Sequence, residues 1–177
     1  MGFEDESGIS EKPVVRRTWS PKGRTPMIVS SGSWKNLTMA GVVVFTPKGN
    51  NPRLLFKLRP GAMDKYDFIE LLKGIKAELK GRKFLLVWDG LPAHRAKAVT
   101  EYIESQKAWL RVERYPAYAP ELSPVEFLWS SMKTKDLAHV PPKGFRHLKK
   151  LVRRSFRRIS SDKQLVKNCL RKAGVFI

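Results

Sequence analysis

The chain holds a single cysteine, Cys169, among 177 residues. That excludes an intramolecular disulfide and any cysteine-based zinc site, and it suits a reducing cytosol. Histidine is scarce as well: three, dispersed and without cysteine partners, which gives no zinc spacing. No apolar run approaches the ~20 residues that span a membrane. The N-terminus is acidic and lacks the apolar stretch of a signal peptide. Acidic residues are few, 16 against 35 Lys and Arg, for a formal net charge of +19. So large an excess acts over long range and favours a polyanionic partner. Hydrophobic residues make up 42%, with five Trp and nine Phe, so the chain has the means to build a core. Its length suits one domain with a small appendage.

Patterning along the chain points to an α/β plan. A short first strand is expected to end at Glu6. Residues 16–27 contain the turn Ser20-Pro21-Lys22-Gly23 between two short extended pieces, an early hairpin. Residues 35–46, rich in Val, Thr and Phe, predict a strand; 47–51 predict a turn, and 53–59 its hairpin partner. Asp64 can N-cap a helix in which Phe68, Leu72, Ile75 and Leu79 recur at helical spacing before Gly81. Phe84-Leu85-Leu86-Val87-Trp88 is apolar on both faces, as in a central parallel strand. A helix over 96–109, a strand over 111–115 and a helix opened by Ser123-Pro124 follow. From Gly144 an apolar stripe of Phe145, Leu148, Val152 and Ile159 runs beside a basic face, and a second short helix covers 161–172. The order predicts a mixed sheet of about five strands flanked by helices, with a basic helical C-terminal tail. The division expected is a domain over 1–140 and an extension over 141–177.

Three acidic positions stand out: Asp89 at the end of the central strand, Glu126 at a helix start, and Glu4-Asp5-Glu6. Ligands of open α/β sheets bind outside the carboxyl ends of strands, where Asp89 sits. Phosphodiester chemistry needs an activated oxygen nucleophile and a stabilised leaving oxygen, and two divalent ions about 3.5–4 Å apart supply both. Magnesium and manganese prefer hard oxygen ligands, hence Asp and Glu. Plainer roles exist for each residue alone. Asp before Gly is a common turn residue. Ser123-Pro124-Val125-Glu126 fits a helix capping box. Glu4-Asp5-Glu6 fits an exposed acidic terminus. His94 fits an acid or base, or a histidine bonded to local backbone. Seven basic residues, Arg146, Lys149, Lys150, Arg153, Arg154, Arg157 and Arg158, fall within thirteen positions. They repel one another unless a polyanion lies against them.

Four segments together carry a family resemblance: Asp5-Glu6-Ser7-Gly8, Trp19-Ser20-Pro21-Lys22-Gly23, Trp88-Asp89-Gly90-Leu91-Pro92-Ala93-His94, and Tyr118-Ala119-Pro120-Glu121-Leu122-Ser123-Pro124-Val125-Glu126-Phe127-Leu128-Trp129. In this order the chain resembles the catalytic domain of DDE transposases, in the bacterial insertion-sequence branch of the mariner-like superfamily. The resemblance spans roughly three quarters of the chain. It implies an RNase H-like fold and an Asp, Asp, Glu triad that holds two magnesium or manganese ions. Carried over, Asp5 is the first ligand, Asp89 the second and Glu126 the third. Between Asp89 and Glu126 lie 36 residues, slightly more than is usual in the family. Ser123 and Leu91 stand where the family often has Asn.

The function implied is metal-dependent DNA cleavage and strand transfer during transposition. The partners implied are duplex DNA (element ends and target), a second copy of the chain, and a helix-turn-helix region encoded separately, because family members carry one ahead of the first Asp. Arg16, Arg17, Lys22 and Arg24, with the seven basic residues of the C-terminal helix, are the expected phosphate contacts. The expected location is the cytoplasm, at the nucleoid. The rival expectations are an RNase H-like nuclease or resolvase without strand transfer, and a non-catalytic nucleic-acid binder, whether a decayed transposase or an RNA-binding protein.

Overall fold

The computed structural model describes residues 1–30, 33–49, 51–116 and 119–175. Asn50 of the expected turn and Tyr118 of the resemblance lie outside the described residues. Five strands form one mixed sheet: β1 (Gly2–Ser10), β2 (Asn36–Val44), β3 (Arg53–Pro60), β4 (Phe84–Trp88) and β5 (Leu110–Arg114), in the order β3-β2-β1-β4-β5. The first three make an antiparallel meander; β4 runs parallel to β1, and β5 parallel to β4. Helix α1 (Lys65–Glu78) connects β3 to β4, and α2 (Lys97–Ser105) connects β4 to β5. Then come α3 (Pro124–Ser131), a π-helical turn (Met132–Asp136), α4 (Phe145–Ser161) and α5 (Lys163–Lys172). This is the RNase H-like plan expected.

Alternation along the strands divides the core in two. Phe3, Ile9, Leu37, Met39 and Val43 face α3, α4 and α5; Ala40, Val42, Phe84, Leu86 and Trp88 face α1 and α2. The C-terminal stripe is buried as its periodicity predicts. Leu148, Val152 and Ile159 enter the first cluster with Phe156, whose ring stacks on Phe56 of β3 at 3.9 Å. Asp64 caps α1 with a reciprocal capping box: its carboxylate accepts from Tyr66 and Asp67 N–H, and Asp67 accepts from Asp64 N–H.

Two expectations need correction. The first strand does not end at Glu6. It pairs with β2 in full register from Gly2↔Val44 to Ser10↔Asn36, because Ser7, Gly8 and Ile9 continue the alternation. Nor do residues 16–27 form a hairpin. The turn is present, with Arg24 N–H bonded to Pro21 O at 3.0 Å, but no strand flanks it. Pro13, Pro21 and Pro26 each remove a ladder donor or restrain the backbone around it. The segment is an arm that meets the body through a bridge between Val14 and Ala138 and through bonds from Ser33 to Glu11. Trp19, Met27, Val29 and Trp34 stand exposed along it.

Candidate active site

The sheet splits where β4 diverges from β1. These strands pair only at Gly2↔Leu86 and Phe3↔Val87. Two residues further along each strand, the same register sets Asp5 beside Asp89. Asp5 is therefore mid-strand with respect to β2, yet at the open edge with respect to β4. Parity puts its side chain with Phe3 and Ile9 on the face that α3 covers. There Asp5, Asp89 and Glu126 line one cavity of about 660 Å³, with Leu91, Tyr115 and Ser123. Oxygens of Asp5, Glu6 and Asp89 lie within 4.8 Å of one another. Glu126 stands outside that tight group, on the cavity wall.

Each carboxylate has a distinct setting. Burial drives the Asp5 carboxyl up to about 7, and the charges of Glu126 and Glu6 push the same way; the indole N–H of Trp129, 2.9 Å from Asp5 Oδ2, pulls against them. Asp89 is held below its usual value. Burial alone would raise it, but Oδ1 accepts from Leu91 N–H at 2.9 Å and faces His94 Nδ1 at 2.9 Å. Glu126 is exposed on the first turn of α3, free of the capping role. Ser123 is the N-cap by position, but its side chain caps nothing, and Pro124 follows it at the first helical position. The buried hydroxyls of Ser123 and Tyr115 sit on the cavity wall, without a hydrogen-bond partner among the described residues. Burial raises the Tyr115 phenol; Ser123 is near enough to offset part of that shift, though neither hydroxyl is satisfied.

Behind Asp89 lies a buried group in which Trp88 and His94 of one motif meet Glu6 of another, with Glu4 and Phe68. His94 stacks flat on Trp88, ring centroids 4.1 Å apart, with Phe68 edge-on at 4.4 Å. Its Nδ1 lies 3.2 Å from the Asp89 carbonyl oxygen, the local backbone contact expected of it, but its Nε2 also meets Glu6 Oε1 at 3.0 Å and lies 3.7 Å from Glu4 Oε2. Burial disfavours the imidazolium, but hydrogen bonds to Asp89 and Glu6 and the nearby charges of Glu4 and Glu6 lift His94 to about 10. Glu4 is wholly buried and neither oxygen has a hydrogen-bond donor, so burial pushes its carboxyl well above the ordinary range. Glu4 and Glu6 are therefore not an exposed acidic terminus. One signal was available: in a strand of period two, they occupy the face opposite Asp5, where an apolar residue would otherwise pack.

The basic residues fall into four settings. Arg16, Arg17, Lys22 and Arg24 are exposed on the arm. Arg146, Lys150, Arg153, Arg154 and Arg157 are exposed on α4, and four of them, all but Arg146, line a second cavity of about 650 Å³ with Phe56 and His147. Lys149 lies over the Phe145 ring at 4.9 Å. Arg158 turns inward: Nε bonds Asp136 Oδ1 and Nη2 bonds Asp136 Oδ2, both at 2.8 Å. An arginine that spends its Nε–Nη2 edge on a carboxylate has less left for a phosphate.

Known structures share this fold. A Mos1 transposase paired-end complex with left transposon end matches with a TM-score of 0.63 and 18% identity, over 99% of this chain and 55% of that one. A Mos1 strand transfer complex matches at 0.62 and 16%, over 98% and 54%. The catalytic domain of Mos1 mariner transposase matches at 0.55 and 16%, over 99% and 83%. The chain thus spans about half the length of the full transposase chains. No curated protein matches the sequence. Among the described residues no helix is long and apolar enough to cross a membrane. Residues 1–165 match the family described as DDE superfamily endonuclease, and with that coverage the chain belongs to it.

Proposed function

We propose that this chain is the catalytic domain of a transposase, of the insertion-sequence branch, that cleaves a phosphodiester at an element end and joins the freed 3′-hydroxyl to target DNA. One observation carries this: the carboxylate oxygens of Asp5 and Asp89 lie within 4.8 Å of one another just past the last β1–β4 pair, with Glu126 on the wall of the same cavity, in a chain of net charge +19. The donor set suits two magnesium or manganese ions. It is all carboxylate, and Asp5 is lifted to about 7 by burial and by its acidic neighbours, a repulsion that divalent cations relieve. When bound, such ions would activate the attacking oxygen and neutralise charge on the leaving one.

The chain's own residues do the rest. Asp5, Asp89 and Glu126 would hold the ions. Leu91 N–H and His94 steady Asp89, and Trp129 steadies Asp5. Tyr115 and Ser123 offer two unsatisfied hydroxyls to a phosphate oxygen or its water. The exposed cations of the arm and of α4 would take DNA phosphates, and a second copy of the chain would supply symmetry. Such work sits with chromosomal DNA in the cytoplasm. Strand nicking and strand transfer by the purified chain in Mg²⁺ or Mn²⁺ test it. Asp89→Asn should abolish both at unchanged melting temperature, since the amide keeps shape and loses charge. Cleavage retained by that variant, or persisting in chelator, would overturn the assignment, and nicking without strand transfer would favour a simple nuclease.

A further inference from the structure

Each aspartate of the site has one oxygen taken by a protein donor. Asp5 Oδ2 receives the Trp129 indole N–H at 2.9 Å. Asp89 Oδ1 receives Leu91 N–H, and His94 Nδ1 lies 2.9 Å from it; that nitrogen faces two oxygens of Asp89 and so carries a proton. Each donor is braced in turn. Trp129 is 1% exposed and meets Phe156 edge-on at 5.7 Å. His94 is clamped between Trp88 and Phe68, and Glu6 anchors its far nitrogen.

The chain has also cleared a path for Trp129. Gly41 on β2 is the register partner of Asp5. A Cβ there would lie 2.8 Å from the Trp129 ring. Only glycine lets the indole cross β2 and reach the carboxylate on β1.

Resting on the reading of Asp5 and Asp89 as metal ligands, we infer that Trp129 and His94 are positioning residues that fix the orientation of these two carboxylates where the cations would bind. The two come from opposite faces of the sheet, Trp129 from the α3 side and His94 from the α1 side, and they lock neighbouring strands. Without them each carboxylate would be free to rotate, and the ordered ligand set that would hold the ions would be lost. Outer partners of metal ligands typically contribute about 10–100-fold in metal affinity or activity.

Mn²⁺ titration of the full chain by calorimetry, without DNA, tests this apart from turnover. Trp129→Phe should weaken Mn²⁺ about tenfold, as should His94→Phe. His94→Asn keeps a donor near the Nδ1 position and should restore most of the affinity; His94→Gln places its amide towards Glu6 and should not. Because Trp129→Phe also changes packing, the isosteric benzothienylalanine at position 129, which swaps N–H for sulfur, serves as a second variant. It should melt as the parent does, bind Mn²⁺ about as weakly as Trp129→Phe, and lower kcat with KM for DNA unchanged. Wild-type Mn²⁺ binding by the benzothienylalanine and His94→Phe proteins, alongside loss in Asp5→Asn and Asp89→Asn, would overturn the positioning role and leave the site standing. Wild-type binding by Asp5→Asn and Asp89→Asn would overturn the metal site itself, and the positioning role with it.

Discussion

Glu126 and Trp129 stand three positions apart on α3, so one helical turn serves two carboxylates. Glu126 projects into the cavity while Trp129 reaches across β2 to the Asp5 oxygen. The third acidic residue and the support of the first are thus moved by the same rigid element. Any shift of α3 changes both together, which explains why this helix is packed so fully, with Val125, Leu128 and Trp129 all buried.

Gly41→Ala tests that arrangement from outside the site. The added methyl would meet the Trp129 ring at 2.8 Å, and the ring is boxed in by Phe156. Overpacking of this kind costs about 1–3 kcal/mol. The expected outcome is a lower melting temperature together with altered tryptophan fluorescence. An unchanged melting curve would show that α3 yields easily.

Asp5 gives a pH dependence with a definite sign. Its carboxyl is raised by burial, Glu126 and Glu6 from an ordinary 3.8 to about 7, so the folded chain holds that proton more tightly than the unfolded chain. The stability it contributes is complete below the unfolded value and is lost as pH rises through about 7. The metal-free protein should therefore be less stable at pH 8 than at pH 5.5, by at most a few kcal/mol, and should melt at a lower temperature. Asp5→Asn should flatten that slope. Mg²⁺ or Mn²⁺ should raise the melting temperature more at pH 8, because ligation needs the carboxylate. Equal slopes for parent and Asp5→Asn would show that other groups set the pH response.

Much of this was legible in the sequence, and the rest failed for identifiable reasons. Phe84 to Trp88 announced a strand covered on both faces, and Asp64 announced a cap, because both signals are local. The C-terminal end of α2 was misjudged: Gln106 to Trp109 close a turn through Trp109 N–H to Gln106 O instead of continuing the helix. The supports of the site were invisible. Trp129 and Asp5 are 124 positions apart, and Glu6 and His94 are 88 apart. Nothing in spacing links them; only the sheet register does. Glu4 misled for the opposite reason, since a carboxylate four residues from an end reads as solvated, whereas the strand carries it into the core.

Capping of α1 offers a simple check of the fold. Asp64 accepts from Tyr66 and Asp67 N–H, and those bonds hold its carboxyl below the ordinary value. Asp64→Ala should lower stability in the direction typical of a lost N-cap. Denaturant melts at neutral pH would show it, and no loss would mean that Asp67 holds the turn alone.

The basic face of α4 and Arg158 separate binding from folding on one helix. Arg153, Arg154 and Arg157 are exposed beside Phe56 and His147, whereas Arg158 is pinned to Asp136 with its side chain only 35% exposed. Each phosphate that a cation neutralises adds about −0.9 to the slope of log affinity against log salt on duplex DNA. Replacing Arg153, Arg154 and Arg157 by Gln should flatten that slope by up to about 0.9 for each arginine that lies on a phosphate, at little cost in stability. Arg158→Gln should do the reverse. It breaks a two-pronged ion pair between α4 and the π-helical turn after α3, a loss of about 1–3 kcal/mol for hydrogen bonds to a charged group, and it should leave the salt slope nearly unchanged. Fluorescence anisotropy on a random duplex across a salt series, paired with thermal melts, reads both quantities. A flattened slope with Arg158→Gln at an unchanged melting temperature would mean that Arg158 leaves Asp136 for the phosphates when DNA arrives.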